Sequence, residues 1–167
     1  DYTWVFPPVT QCDWTQYTLD VTVPAGVNAK ALEVRLHVYA RFTGTIYFDD
    51  LTVERLEVPQ LNAIGGFEQD MPSYWTKGNE PAGATLTWAT DQFRSLGHSL
   101  KITKVATSDS AAWISENMAD IWSPQHLKNV DILLGAWVKT QNVNMNPTTD
   151  DQRWWISYTF YDSAGVK

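Results

Sequence analysis

An antiparallel β-sandwich of the jelly-roll kind is the fold class this sequence predicts, and three observations predict it. Apolar and polar residues alternate with period two through most of the chain. No stretch keeps a helical period beyond about three turns. Gly, Pro and Asn signals break the alternating runs at short intervals. Many short strands joined by such turns are the pattern of an all-β sandwich.

The first run, residues 14–23, stops at Pro24-Ala25-Gly26. The second, residues 31–40, alternates most cleanly. Leu32, Val34, Leu36, Val38 and Ala40 point one way, and Glu33, Arg35, His37, Tyr39 and Arg41 the other. Thr43-Gly44 turns the chain into a third run over residues 45–57. Gly65-Gly66 and Pro81-Ala82-Gly83 precede runs at residues 85–89, 98–104 and 111–115. A run over residues 132–139 follows, and Asn146-Pro147 separates it from residues 154–162, which end at Ser163-Ala164-Gly165. Residues 115–122 read as one or two helical turns.

Composition narrows the possible functions. A length of 167 residues suits one domain with a sizeable core. Charged residues are 19% and aromatics 13%, with nine Trp, so apolar surface is ample and disorder is excluded. The net charge of −7 argues against nucleic acid, which needs a basic patch. No apolar run reaches the roughly eighteen residues of a membrane-spanning helix. The start at Asp1-Tyr2-Thr3 reads as that of a mature or trimmed chain rather than a signal peptide. Cys12 is the only cysteine, which excludes an intrachain disulfide and leaves a small buried hydrophobe as its expected role.

Catalytic signatures do not emerge. There is no nucleophile elbow, His-Glu-x-x-His helix, P-loop or dinucleotide fingerprint. Asp49-Asp50 and Asp150-Asp151 are neighbours that point to opposite faces of a strand, unlike a glycosidase pair across a cleft. His37, His98 and His126 lack ligand spacing. The expectation is a protein that is not an enzyme.

Several segments resemble carbohydrate-binding modules of the family 4, 9 and 22 group, with the galactose-binding-like fold. Asn62-Ala63-Ile64-Gly65-Gly66-Phe67-Glu68 followed by Trp75 resembles their opening strand. Gly97-His98-Ser99-Leu100-Lys101-Ile102 resembles the next, and Leu134-Gly135-Ala136-Trp137-Val138-Lys139 a central one. Trp14-Thr15-Gln16-Tyr17-Thr18, Val23-Pro24-Ala25-Gly26 and Gly44-Thr45-Ile46-Tyr47-Phe48-Asp49-Asp50-Leu51-Thr52-Val53 resemble their closing half. The order is rotated, since the closing half occupies residues 1–57, a joint residues 58–61, and the opening half residues 62–167. Together they make one module's worth of sequence. A circular permutant, one period of a tandem array, and a subunit exchanging strands head-to-tail with its neighbours all account for this order.

The resemblance implies a structural calcium between the opening and closing strands. Glu68 and Asp50 are its candidate ligands, with Asp49 in reserve. It also implies a glycan partner. Sugar rings stack on flat aromatics, and their hydroxyls take planar donors and acceptors. The outward row Arg35, His37 and Tyr39 has that chemistry, and Trp113 and one of Trp154 and Trp155, with Trp155 preferred, are the expected stacking residues. A salt-linked solvent face or a subunit interface accounts for the same row. Residues 70–81 and 140–153 read as long loops that could rim a cleft. The expected function is a non-catalytic, extracellular or cell-surface module that binds a polysaccharide. The alternative is a structural repeat or strand-exchanging subunit of a filament, sheath or large adhesin, with copies of itself as partners.

Overall fold

Residues 4–5, 11–23, 29, 31–55, 65–68, 74–116 and 131–162 are described by a computed structural model. Among them the alternating runs become ten strands: β1 (Trp4–Val5), β2 (Thr15–Thr22), β3 (Ala31–Val38), β4 (Gly44–Arg55), β5 (Trp75–Asn79), β6 (Ala84–Ala89), β7 (Ser99–Lys104), β8 (Ala111–Ser115), β9 (Asp131–Gln141) and β10 (Trp154–Tyr161). They form two five-stranded antiparallel sheets, ordered β1-β10-β3-β8-β5 and β2-β9-β4-β7-β6. The fold is an all-β sandwich. A single 3-10 turn, Asp150–Gln152, is the one helical element among the described residues.

Two strands escape the alternation rule. β1 is only two residues long. β5 lies in the stretch read as a loop, because only Trp75 of its residues is buried and Gly78 interrupts it. A Cβ at Gly78 would sit 2.1 Å from the Cδ1 of Ile114, so the edge strand can lie against β8 only where it lacks a side chain. Of the residues expected to form helical turns over 115–122, Ser115 ends β8, and residues 117–122 lie outside the described set, as does the joint at 58–61.

The core lies between the sheets. Leu32, Val34, Leu36 and Val38 of β3 face Ile46 and Phe48 of β4, Leu100 and Ile102 of β7, and Leu134, Ala136 and Val138 of β9. Trp154 is 1% exposed, edge-to-face with Tyr17 at 5.0 Å and with Phe48 at 6.1 Å between ring centroids. Lys104 is also fully buried. Its Nζ donates to the carbonyls of Ala40, Phe42 and Ala106, so the charge closes the ends of three loop backbones. Burial pushes its pKa down.

Strands from residues 1–57 and 62–167 interleave in both sheets. β10 pairs with β3 from Trp154↔Val38 to Tyr161↔Ala31. β9 lies between β2 and β4, with Gly135 opposite both Thr18 and Thr52. The segment around residue 50 also meets the segment around residue 65, because the Leu51 N–H donates to the Gly65 carbonyl at 3.1 Å. A Cβ at Gly65 would fall 1.5 Å from the Leu51 carbonyl oxygen, so this approach requires glycine.

Candidate functional site

The two outward faces of the sandwich differ. On the first sheet, Glu33, Arg35, His37 and Tyr39 alternate with core residues, as the sequence implies, and Trp155, Ser157, Thr159 and Tyr161 of β10 lie beside them. This face is not open, however. His37 is 9% exposed, Trp155 3%, Ser157 2% and Thr159 5%. Trp155 is wedged against His37 and Tyr39, with ring centroids 4.0 and 3.4 Å away. His37 Nε2 and Ser157 Oγ share a hydrogen bond of 2.9 Å. Burial, with a smaller push from the Arg35 charge, lowers the His37 pKa to about 3. Arg35 is tied to Glu33 at 2.6 Å, and Glu33 also accepts the Tyr161 hydroxyl at 3.2 Å. The row expected to grip a sugar is thus a covered cluster, in which Arg35 and Tyr161 are held by Glu33 and His37 by Ser157.

Trp113 points the other way. It is 4% exposed in the core between the sheets, and its indole N–H donates to the Lys101 carbonyl at 3.2 Å. Inward orientation follows from its phase with Ala111 and Ser115, so it has no free face on which a sugar could stack.

The open aromatic face belongs to the second sheet. Gln16 of β2, Trp137 of β9 and Asp49 of β4 stand in one cross-strand row, and Lys139, Tyr47, Lys101 and Thr87 in the next. Trp14, just before β2, lies 6.5 Å from Tyr47 between centroids. Trp14 and Trp137 are both half-buried, whereas Tyr47 is buried beneath its neighbours. Lys101 Nζ lies 5.0 Å over the Tyr47 ring and 2.6 Å from Asp91. The Tyr47 hydroxyl donates to Asp91 at 3.1 Å. Beyond this row come Gln141, Thr45, Thr103 and Thr85. At the margin, Gln11, Cys12, Asp13, Lys139 and Thr140 surround an open depression of about 320 Å³. The face therefore sets rings beside amides, a carboxylate, hydroxyls and cations.

One end of this face is formed by the loop joining β6 to β7, which folds over β4 and is held by the three acids expected to bind calcium. Asp49 is fully buried. Its Oδ2 accepts the Arg94 N–H at 2.6 Å and the Ser95 N–H at 3.2 Å, and its Oδ1 the Asp50 N–H at 2.7 Å. Burial raises its pKa to about 6, against the opposing pull of those N–H groups. Asp50 accepts the Ser95 hydroxyl at 2.5 Å. Glu68 accepts the His98 N–H at 3.2 Å and faces His98 Nδ1 at 3.1 Å, while the His98 ring stacks on Trp88 at 3.9 Å.

These contacts bear on the implied calcium. Calcium needs six to eight oxygens presented to it, whereas here the carboxylates face N–H, hydroxyl and imidazole groups. The residues present do not fit a calcium cage without displacing those partners. Chelation is therefore expected to leave the melting temperature within about 1 °C, and a fall of several degrees would restore the cation.

Trp14, Gln16, Tyr47, Arg94 and Trp137 were not singled out by sequence as binding residues. The readable signal was phase: Trp137 and Lys139 alternate with Ala136 and Val138, and Tyr47 alternates with Ile46 and Phe48, which places each on an outward face. No family model matches the chain, nor does any curated protein or solved structure, so the chemistry of this face carries the functional reading.

Proposed function

We propose that the chain is a non-catalytic carbohydrate-binding module, extracellular in setting, that takes a polysaccharide or glycan on the outward face of its second sheet. One observation carries the reading: Trp14 and Trp137 share an open sheet face with Gln16, Asp91, Arg94 and Gln141. Apolar faces of pyranoses stack on rings of this kind, and amide, carboxylate and guanidinium groups match pairs of sugar hydroxyls. Affinity electrophoresis against soluble glucans, xylans, mannans and polyuronates tests it. Retardation by at least one is expected, and a folded protein retarded by none would end the reading.

The rotated order also suggested a strand-exchanging subunit of a filament or adhesin. In this chain β9 is paired on both sides by β2 and β4, and β3 by β10 and β8, so each half finds its partners in the other. A lone half would leave long sheet edges and an open core. Sedimentation is expected to show a monomer, whereas concentration-dependent polymers would favour the filament.

A further inference from the structure

The Arg94 guanidinium lies 4.4 Å from the centroid of the Trp137 ring. It lies over one face of that ring, so Trp137 supports the guanidinium and leaves Trp14 as the ring for stacking. The contact is braced from behind, since the Arg94 and Ser95 N–H groups both end on Asp49 Oδ2. A guanidinium held against an indole loses less rotamer freedom when it meets a ligand than one free in solvent.

Charge pairing on the face is uneven. Lys101 lies 2.6 Å from Asp91 and Lys139 2.9 Å from Asp13. Arg94 has its carboxylate contact, to Asp50, at 3.8 Å, and its side chain is 42% exposed. Among the described residues it is the cation of this face with the longest carboxylate contact, and it presents its planar fork over the Trp137 ring. A planar fork matches a carboxylate with two parallel N–H···O bonds, roughly twice as strong as bonds to neutral hydroxyls. The chain's charge of −7 opposes a polyanion at a distance. At physiological ionic strength screening acts over about 8 Å, within which Asp50 lies at 3.8 Å, so a carboxylate is favoured here by the geometry of the fork and not by a net positive field.

We infer that the glycan bound on this face is acidic, carrying uronic-acid carboxylates, and that Arg94 is the residue that recognises them. The inference rests on the reading of the face as a glycan site.

The test uses polygalacturonate, alginate and glucuronoxylan, each with free carboxyls and after methyl esterification, together with a neutral glucan, in affinity electrophoresis of the folded chain. At least one free acid is expected to bind about tenfold more tightly than its ester. Arg94→Gln should bring acid binding down to the ester's level, and Arg94→Lys, which keeps the charge but not the fork, should fall between. Esters or the neutral glucan bound as well as the acids would overturn the inference and leave the glycan face standing. An acid preference that survives Arg94→Gln would overturn the role of Arg94. Retardation by no glycan at all would overturn the glycan reading itself, and this inference with it. Circular dichroism of both variants checks that they remain folded.

Discussion

Trp14→Ala is expected to weaken glycan binding on the order of ten- to a hundredfold while lowering the melting temperature by only a few degrees. The size follows from apolar area. A large aromatic buries on the order of 150–250 Å² when fully covered, and a ring half of whose surface is left for a ligand supplies roughly 2 kcal/mol at about 25 cal/mol per Å². Trp14 stands outside the core, against the Tyr47 ring at 6.5 Å, so its removal uncovers one neighbour and opens no internal cavity. Trp137→Ala should cost binding by a similar factor for a different reason: Arg94 loses the ring it rests against. Trp155→Ala serves as the contrast. That ring is 3% exposed on the opposite sheet, so its loss should destabilise the fold and leave the affinity of the surviving folded protein near that of the parent. Titration of retardation with calorimetry of each variant separates the two effects. If Trp155→Ala abolished binding and Trp14→Ala did not, the site would belong on the first sheet.

Fold class was legible because alternation is a local signal. β3 reads correctly from Leu32, Val34, Leu36 and Val38 alone, since one face of the strand must meet the core. The interleaving of residues 1–57 with residues 62–167 is not a local signal, because strand pairing joins residues more than a hundred positions apart, such as His37 and Trp155. Of the edge strands, β2 and β6 read from the runs at residues 14–23 and 85–89, but β5 did not. β5 buries one residue, so no alternation is imposed on it.

The site was less legible than the fold. Arg35, His37 and Tyr39 point outward as expected, yet outward from a sheet does not mean open to solvent, and burial of His37 and Trp155 is a tertiary fact that period two does not encode. The acids around position 50 were recognised as a cluster that meets Glu68, and Asp49, Asp50 and Glu68 do converge on one loop, between Arg94 and His98. What they hold there is backbone N–H, the Ser95 hydroxyl and imidazole. A carboxylate accepts from an amide as readily as from a cation, so residue type alone could not distinguish a loop anchor from a ligand.

Asp49 gives the second large effect, because three N–H groups converge on a carboxylate with no solvent exposure. Asp49→Ala leaves those donors without an acceptor beneath the loop, at about 1–3 kcal/mol for a buried unpaired group. A total near 3 kcal/mol corresponds to a fall of about 6–12 °C in melting temperature. The same substitution unties Arg94 and Ser95, so glycan binding should fall with it, and amide exchange should accelerate in the loop but not in β9. Asp49→Asn isolates the charge. The carboxyl has a folded pKa of about 6 against an ordinary 3.8, raised by burial and by neighbouring Asp50 against the pull of the N–H donors. The folded state thus binds the proton more tightly than the unfolded one. Stability from this group is fully present below about pH 3.8 and is lost as the pH rises through about 6. His37 works in the opposite sense. With a folded pKa of about 3 against 6.5, its contribution is present above pH 6.5 and lost as the pH falls. The two oppose each other in the wild-type curve, but His37 cancels in the difference between wild type and Asp49→Asn. That difference should tilt against the wild type between about pH 4 and pH 7. Parallel curves would mean that the Asp49 pKa is the same folded and unfolded, with the pull of its three N–H donors fully offsetting its burial.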